Sequence, residues 1–219
     1  MSKQYRLVVF DWEGTLCDTL GQVIHCVENE ARRLNFGELD WEIASQSVEL
    51  GLNNAIRKVF PHLSPEQHYE LVNAVQTVLV SRGLQLYLFP GAKETIEQLH
   101  QKGIDLAIAS NKGQQSLMRA VQQSGLDDYF KVIKSASQSE PKPSPQMLEE
   151  ILAIYSLPAG EALMVGDSLS DIKMAKSIGV DAIGVDFYHQ NSSALMMEGA
   201  LGVFHDYKQI ARFLNLSEE

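Results

Sequence analysis

Short apolar runs recur along the chain with stretches of helical periodicity between them. The runs are Leu7-Val8-Val9-Phe10, Leu106-Ala107-Ile108-Ala109, Val132-Ile133, Leu163-Met164-Val165 and Ala182-Ile183-Gly184-Val185. Each is too short for a helix and is followed by polar or turn residues, the pattern of a buried strand. Between them, Ala92 to Lys102, Gln114 to Ser124, Pro145 to Tyr155 and Ser170 to Ile178 read as helices, and Gly179 suits the end of the last one. This alternation predicts an α/β protein with a doubly wound parallel sheet covered on both faces.

Residues 19 to 82 break the alternation and read as helix only. Val23, Val27, Ala31 and Leu34 fall on one stripe. Ser64-Pro65-Glu66-Gln67 is a helix start, in which Ser64 caps, Pro65 takes the first turn and Gln67 reaches back. Leu71, Val72, Val75, Val78 and Leu79 supply its apolar positions. The sheet pattern returns at Phe89-Pro90-Gly91. The sequence thus predicts a core domain from 1–18 and 83–219, with a small all-helical cap domain, 19–82, inserted after the first strand.

Composition bounds the function. The chain has 219 residues, 45% of them apolar, enough for one sizeable core and a small second one. No apolar stretch reaches the ~20 residues of a membrane span, and Asp11 interrupts the early apolar run where a signal peptide would not carry a charge. We expect a cytoplasmic protein. Cys17 and Cys26 are then free thiols, in a segment that reads as helical. A formal net charge of −10 with no basic run argues against a nucleic-acid partner. It does not argue against a small phosphorylated metabolite, because local charges and a metal override the average.

In an open parallel sheet, ligands bind beyond the carboxyl ends of the strands. Here those ends carry Asp11-Trp12-Glu13-Gly14-Thr15, Ser110-Asn111-Lys112, Glu140-Pro141-Lys142-Pro143, and Gly166-Asp167-Ser168 with Asp171 one turn on. Four of their carboxylates, Asp11, Glu13, Asp167 and Asp171, brought together repel and raise one another's pKa. A hard divalent cation removes the conflict, and magnesium binds through one or two carboxylates plus substrate phosphate. Lys142 adds fixed positive charge, and Ser110 and Asn111 add donors. These are the parts of a phosphoryl-transfer site.

The ordered set Asp-x-acid-Gly-Thr-Leu, Ser-Asn-Lys, Lys-Pro-x-Pro and Gly-Asp-Ser-x-x-Asp resembles the phosphatases of the haloacid dehalogenase superfamily, over nearly the whole chain. The resemblance implies a Rossmann-like core and assigns roles. Asp11 is the nucleophile and a Mg2+ ligand. Glu13 is the general acid/base and offers its backbone carbonyl to the metal. Ser110, Asn111 and Lys142 bind phosphate, Asp167 is a metal ligand, and Asp171 orients the metal's surroundings. Lys112, the third letter of its motif, reads as structural or surface. The helical cap is similar to that of the phosphoglycolate phosphatase group, which makes phosphoglycolate the first substrate expected and places Gly51 in a substrate loop, Glu49 to Asn54. The oligomeric expectation is a monomer or homodimer.

Glu13 departs from the family's usual Asp. It is one methylene longer, and a misplacement of about 1 Å can cost roughly 10²-fold in rate. Two readings follow: a working phosphatase with a retuned acid, or a catalytically weakened phosphate- and metal-binding protein. A phosphatase for another sugar phosphate or a nucleotide is a further alternative. Phosphonate hydrolysis would need a cap lysine, and only the undistinguished Lys58 is there. A dehalogenase would need neither Asp167 nor Asp171. The six histidines show no metal-ligand spacing.

Overall fold

The computed structural model describes residues 4–47, 51–81 and 86–216. The chain divides into two compact units, Met1–Cys17 with Leu88–Glu219, and Asp18–Tyr87. In the first unit the strands are β1 (Leu7–Phe10), β2 (Asp105–Ser110), β3 (Val132–Ser135), β4 (Ala162–Gly166), β5 (Asp181–Val185) and β6 (Val203–Phe204). Among the described residues they form one six-stranded sheet in the order β3-β2-β1-β4-β5-β6, with every pairing parallel. The expected doubly wound α/β core is therefore present. The order reverses at β1, which pairs with β2 on one side and β4 on the other, and that is where such sheets open a crevice.

Alternation along β1 gives it two buried faces. Leu7 and Val9 join one apolar cluster with Met147, Leu148 and Ile151 of α7 (Gln146–Tyr155) and Ile172 and Ala175 of α8 (Leu169–Ser177). Val8 and Phe10 are equally buried, and the Phe10 ring meets Phe130 edge-on at 6.3 Å. Helices α5 (Ala92–Gln101) and α6 (Gln114–Ser124) pack on β2 and β3, each close to its expected bounds. Helices α9 (Ser192–Glu198) and α10 (Tyr207–Phe213), with β6, complete the unit and have no counterpart in the sequence reading.

The second unit is helical: α1 (Thr19–Arg33), α2 (Trp41–Ser45), α3 (Leu52–Val59) and α4 (Pro65–Ser81). Ile24, Val27, Ala31, Ile56, Phe60, Leu71 and Val75 make its core. The start of α4 is as expected, since the Ser64 amide donates to Gln67 Oε1 at 3.0 Å and the Gln67 amide donates back to Ser64 Oγ at 3.2 Å. Cys17 and Cys26 are free and buried. Only Cys26 is helical; Cys17 instead bridges to Leu88 in extended backbone. Among the described residues, no helix is long and apolar enough to cross a membrane.

Candidate active site

Register decides which loops meet. Phe10 lies beside Ile108 of β2 and Val165 of β4, so Asp11 leaves the sheet between the other two motif-bearing ends. Its amide donates to the Val165 carbonyl at 2.9 Å, which fixes the backbone from which the carboxylate projects. Asp11 is 7% exposed.

Lys142, flanked by Pro141 and Pro143, is the centre of charge. Its Nζ lies 2.7 Å from Asp11 Oδ1 and 2.6 Å from Asp171 Oδ1, with all three side chains buried. The contact to Asp171 is a directed hydrogen bond. That to Asp11 is an ion pair without hydrogen-bond alignment, so Asp11 Oδ1 has no aligned donor although it is buried. Asn111 holds the lysine's backbone: its Oδ1 accepts from the Lys142 amide at 2.8 Å, and its Nδ2 donates to the Lys142 carbonyl at 3.4 Å. The Asn111 side chain is thus engaged in placing Lys142. Ser110, 2% exposed, accepts the Lys112 amide at its Oγ at 3.3 Å.

Asp167 enters from the turn between β4 and α8, and Asp171 from the first turn of α8. Ser168 caps α8 in a reciprocal box with Asp171: Ser168 Oγ accepts the Asp171 amide, and Asp171 Oδ2 accepts the Ser168 amide at 3.1 Å and its hydroxyl at 2.6 Å. Both oxygens of Asp171 are therefore committed to protein partners. Asp167 is half-buried, and Thr15 Oγ1 donates to its Oδ1 at 3.4 Å. Gly14 lies against it at φ +78°, and a Cβ on Gly14 would fall 2.2 Å from Asp167 Oδ2. Only glycine meets both demands. Behind this loop, the fully buried Tyr207 hydroxyl donates to the Thr15 carbonyl at 2.8 Å.

One oxygen from each of Asp11, Asp167 and Asp171 lies within 4.8 Å of the others. The electrostatic strain is visible. Burial pushes Asp11 up to about 6; Lys142 opposes this and the Asp171 charge adds to it. Burial, then the charges of Asp11 and Asp171, push Asp167 up to about 7. Burial works against the Lys142 ammonium, yet Asp11 and Asp171 outweigh it and hold the group above the ordinary lysine range. Three carboxylates face one lysine, and Asp171 is already spoken for. The buried Asp11 oxygen without an aligned donor and the strained Asp167 carboxylate are a hard-oxygen donor set that fits a divalent cation. No histidine joins a metal-ligand grouping among the described residues.

Glu13 is elsewhere. Its side chain is 43% exposed, and its Oε1 is 2.8 Å from Lys112 Nζ. Lys112, expected to be structural or surface, is thus tied to the candidate acid. The signal was present in the motif as an unexplained cation two residues past a strand end. Gly51 belongs to the helical unit, where it precedes α3 at φ +75° and is exposed; Glu49 and Leu50 of the expected loop lie outside the described residues. That unit also encloses a cavity of about 70 Å³, lined by apolar side chains including Val23, Val27, Leu39 and Ile56. It carries none of the charged groups above.

A parallel sheet with an acid–lysine cluster at its switch point defines a class, and the chain belongs to it: the haloacid dehalogenase-like hydrolase family, whose model matches residues 8–185. Among curated proteins it is similar to the phosphoglycolate phosphatase of Pseudomonas fluorescens (strain Pf0-1), 27% identical over 213 residues that cover 94% of this chain and 78% of the relative. It is similar also to the phosphoglycolate phosphatase of Vibrio vulnificus (strain CMCP6), 28% identical over 202 residues that cover 88% and 89%. Among solved structures, a HAD-superfamily hydrolase from Ehrlichia chaffeensis shares the fold, with a TM-score of 0.64, 24% identity and 98% of each chain covered.

Proposed function

We propose that this hydrolase is a magnesium-dependent phosphatase that cleaves a small phosphate monoester through an aspartyl-phosphate on Asp11. The observation that carries the reading is the buried contact of Lys142 with both Asp11 and Asp171, beside Asp167. It joins a nucleophile, a fixed positive charge and metal-binding oxygens in one place. Asp11, Asp167 and the Glu13 backbone carbonyl are the proposed magnesium ligands. Bound there, magnesium would neutralise the phosphoryl oxygens as a Lewis acid.

The chain's own residues do the rest. An Asp11 oxygen attacks phosphorus; the new O–P bond forms as the bond to the leaving oxygen breaks, and Glu13 gives that oxygen a proton. Water then attacks the phosphorus of phospho-Asp11, Glu13 takes the water's proton, and phosphate leaves with Asp11 restored. Ser110 and the amides around Asn111 donate to the phosphoryl oxygens, and Asp171 keeps Lys142 in place.

Phosphoglycolate is the first substrate to test, because it is the substrate in the names of the relatives; another sugar phosphate or a nucleotide comes next. Gly51 remains our candidate for the substrate loop. A cytoplasmic monomer or homodimer with no nucleic-acid partner completes the reading. The test is a panel of phosphorylated metabolites assayed with and without magnesium. Turnover that requires the metal and vanishes in Asp11→Asn supports it. No turnover in the wild type, and none after Glu13→Asp, leaves the second reading: a weakened phosphate- and metal-binding protein. The Glu at position 13 is the observation that favours it.

A further inference from the structure

Glu13 is paired across two loops with Lys112. Lys112 stands two residues past the end of β2 and Glu13 three past the end of β1, and the parallel pairing of these strands sets the two loops side by side. The side chains close the gap, with Nζ to Oε1 at 2.8 Å. Glu13 Oε2 has no protein partner among the described residues. One oxygen is therefore gripped and the other is left for a reacting water. Glu has one more rotatable bond than Asp, so its carboxylate is less well placed by the backbone alone. A cation anchored on the neighbouring loop restores that placement. The anchor is itself held, because the Lys112 amide donates to Ser110 Oγ.

We propose that Lys112 is a positioning residue: it fixes the Glu13 carboxylate where it accepts the proton of the water that attacks phospho-Asp11. The inference rests on the aspartyl-phosphate reading above. Its consequence is specific to one half of the reaction. In that half, the O–P bond of water forms, the Asp11 O–P bond breaks, and the water's proton passes to Glu13. General base catalysis typically contributes about 10²–10⁴-fold, and loss of placement forfeits part of it.

The experiment compares wild type, Lys112→Met and Lys112→Arg with p-nitrophenyl phosphate and magnesium, in steady state and in the first turnover. The p-nitrophenolate leaving group needs little help from an acid, so the first half-reaction reports little on Glu13. In Lys112→Met, kcat should fall about tenfold, KM should fall with it, kcat/KM should hold, and a burst of p-nitrophenolate equal to the enzyme concentration should appear as phosphoenzyme accumulates. Lys112→Arg, which keeps a donor for Glu13, should recover most of kcat. In a Glu13→Gln background, Lys112→Met should cost nothing further. A rise in KM at steady kcat would overturn the inference and assign Lys112 to substrate binding. Unchanged kinetics, or losses that multiply with those of Glu13→Gln, would overturn it as well. Those outcomes leave the aspartyl-phosphate reading intact, whereas turnover that survives Asp11→Asn removes that reading and this inference together.

Discussion

Lys142 touches two buried carboxylates, and removing it strands both. Lys142→Met should destabilise the metal-free protein by about 3–5 kcal/mol, the usual cost of leaving buried charge uncompensated. Pairing it with Asp171→Asn should recover part of that loss in chemical denaturation. The same crowding gives a pH dependence. Asp11 and Asp167 sit near 6 and 7 when folded, against 3.8 for a free Asp. The folded state therefore holds protons that the unfolded state releases, so these groups favour folding most below about pH 4 and lose that contribution as pH rises toward 7. Without metal, wild type should lose stability between pH 4.5 and 7.5 relative to Asp167→Asn, as read by thermal melts. Magnesium competes with those protons, so its stabilising shift in Tm should be larger at pH 7.5 than at pH 5. Asp11 and Asp167 were legible in the sequence because each directly follows a strand run, and Asp171 because it stands one turn on. The Lys112–Glu13 pair was not: the motif shows a cation past a strand end, but its partner lies on another loop and 99 residues away in sequence.

Among the elements, the β4–α8 turn is the most demanding. Ser168→Ala removes the cap of α8 and should cost about 1 kcal/mol. It also takes the hydroxyl donor from Asp171 Oδ2, leaving that oxygen the amide of residue 168 alone, so activity should fall further than stability alone explains; comparing kcat with the denaturation midpoint separates the two. Gly14→Ala meets both a positive φ and the Asp167 carboxylate. It should cost about 1–3 kcal/mol in strain and weaken magnesium binding measured by calorimetry. Strands β1, β2, β4 and β5 were readable as apolar runs of about four residues, and β3 as the shorter Val132-Ile133 pair of β-branched residues after the helix of Gln114–Ser124. β6 was not: it has two residues, both half-exposed, and offers no period to detect. Helices α9 and α10 have seven residues each, about two turns, too little for a stripe to stand out.

Across the whole molecule, the least legible contact joins the two ends of the sequence. The Tyr207 hydroxyl donates to the Thr15 carbonyl, and Phe187 stacks on the Tyr207 ring with centroids 5.5 Å apart. Tyr207→Phe leaves a buried carbonyl without its partner and should cost about 1–3 kcal/mol. Because that carbonyl belongs to the loop bearing Glu13 and Gly14, kcat should drop in the same variant while the helical unit, Asp18–Tyr87, keeps its far-ultraviolet signature.

The central position of β1 has a consequence for how the protein is made. Leu7 pairs with Asp105 and with Ala162, so β1 leaves the ribosome well before either neighbour: β2 follows about a hundred residues later and β4 more than a hundred and fifty. Its apolar residues and Asp11 must wait through that interval, first without a sheet and then without Lys142 and Asp171. The nascent chain should therefore expose a sticky, unpaired strand for much of translation, and cells that lack early-acting chaperones should yield it in aggregates more readily than as folded enzyme.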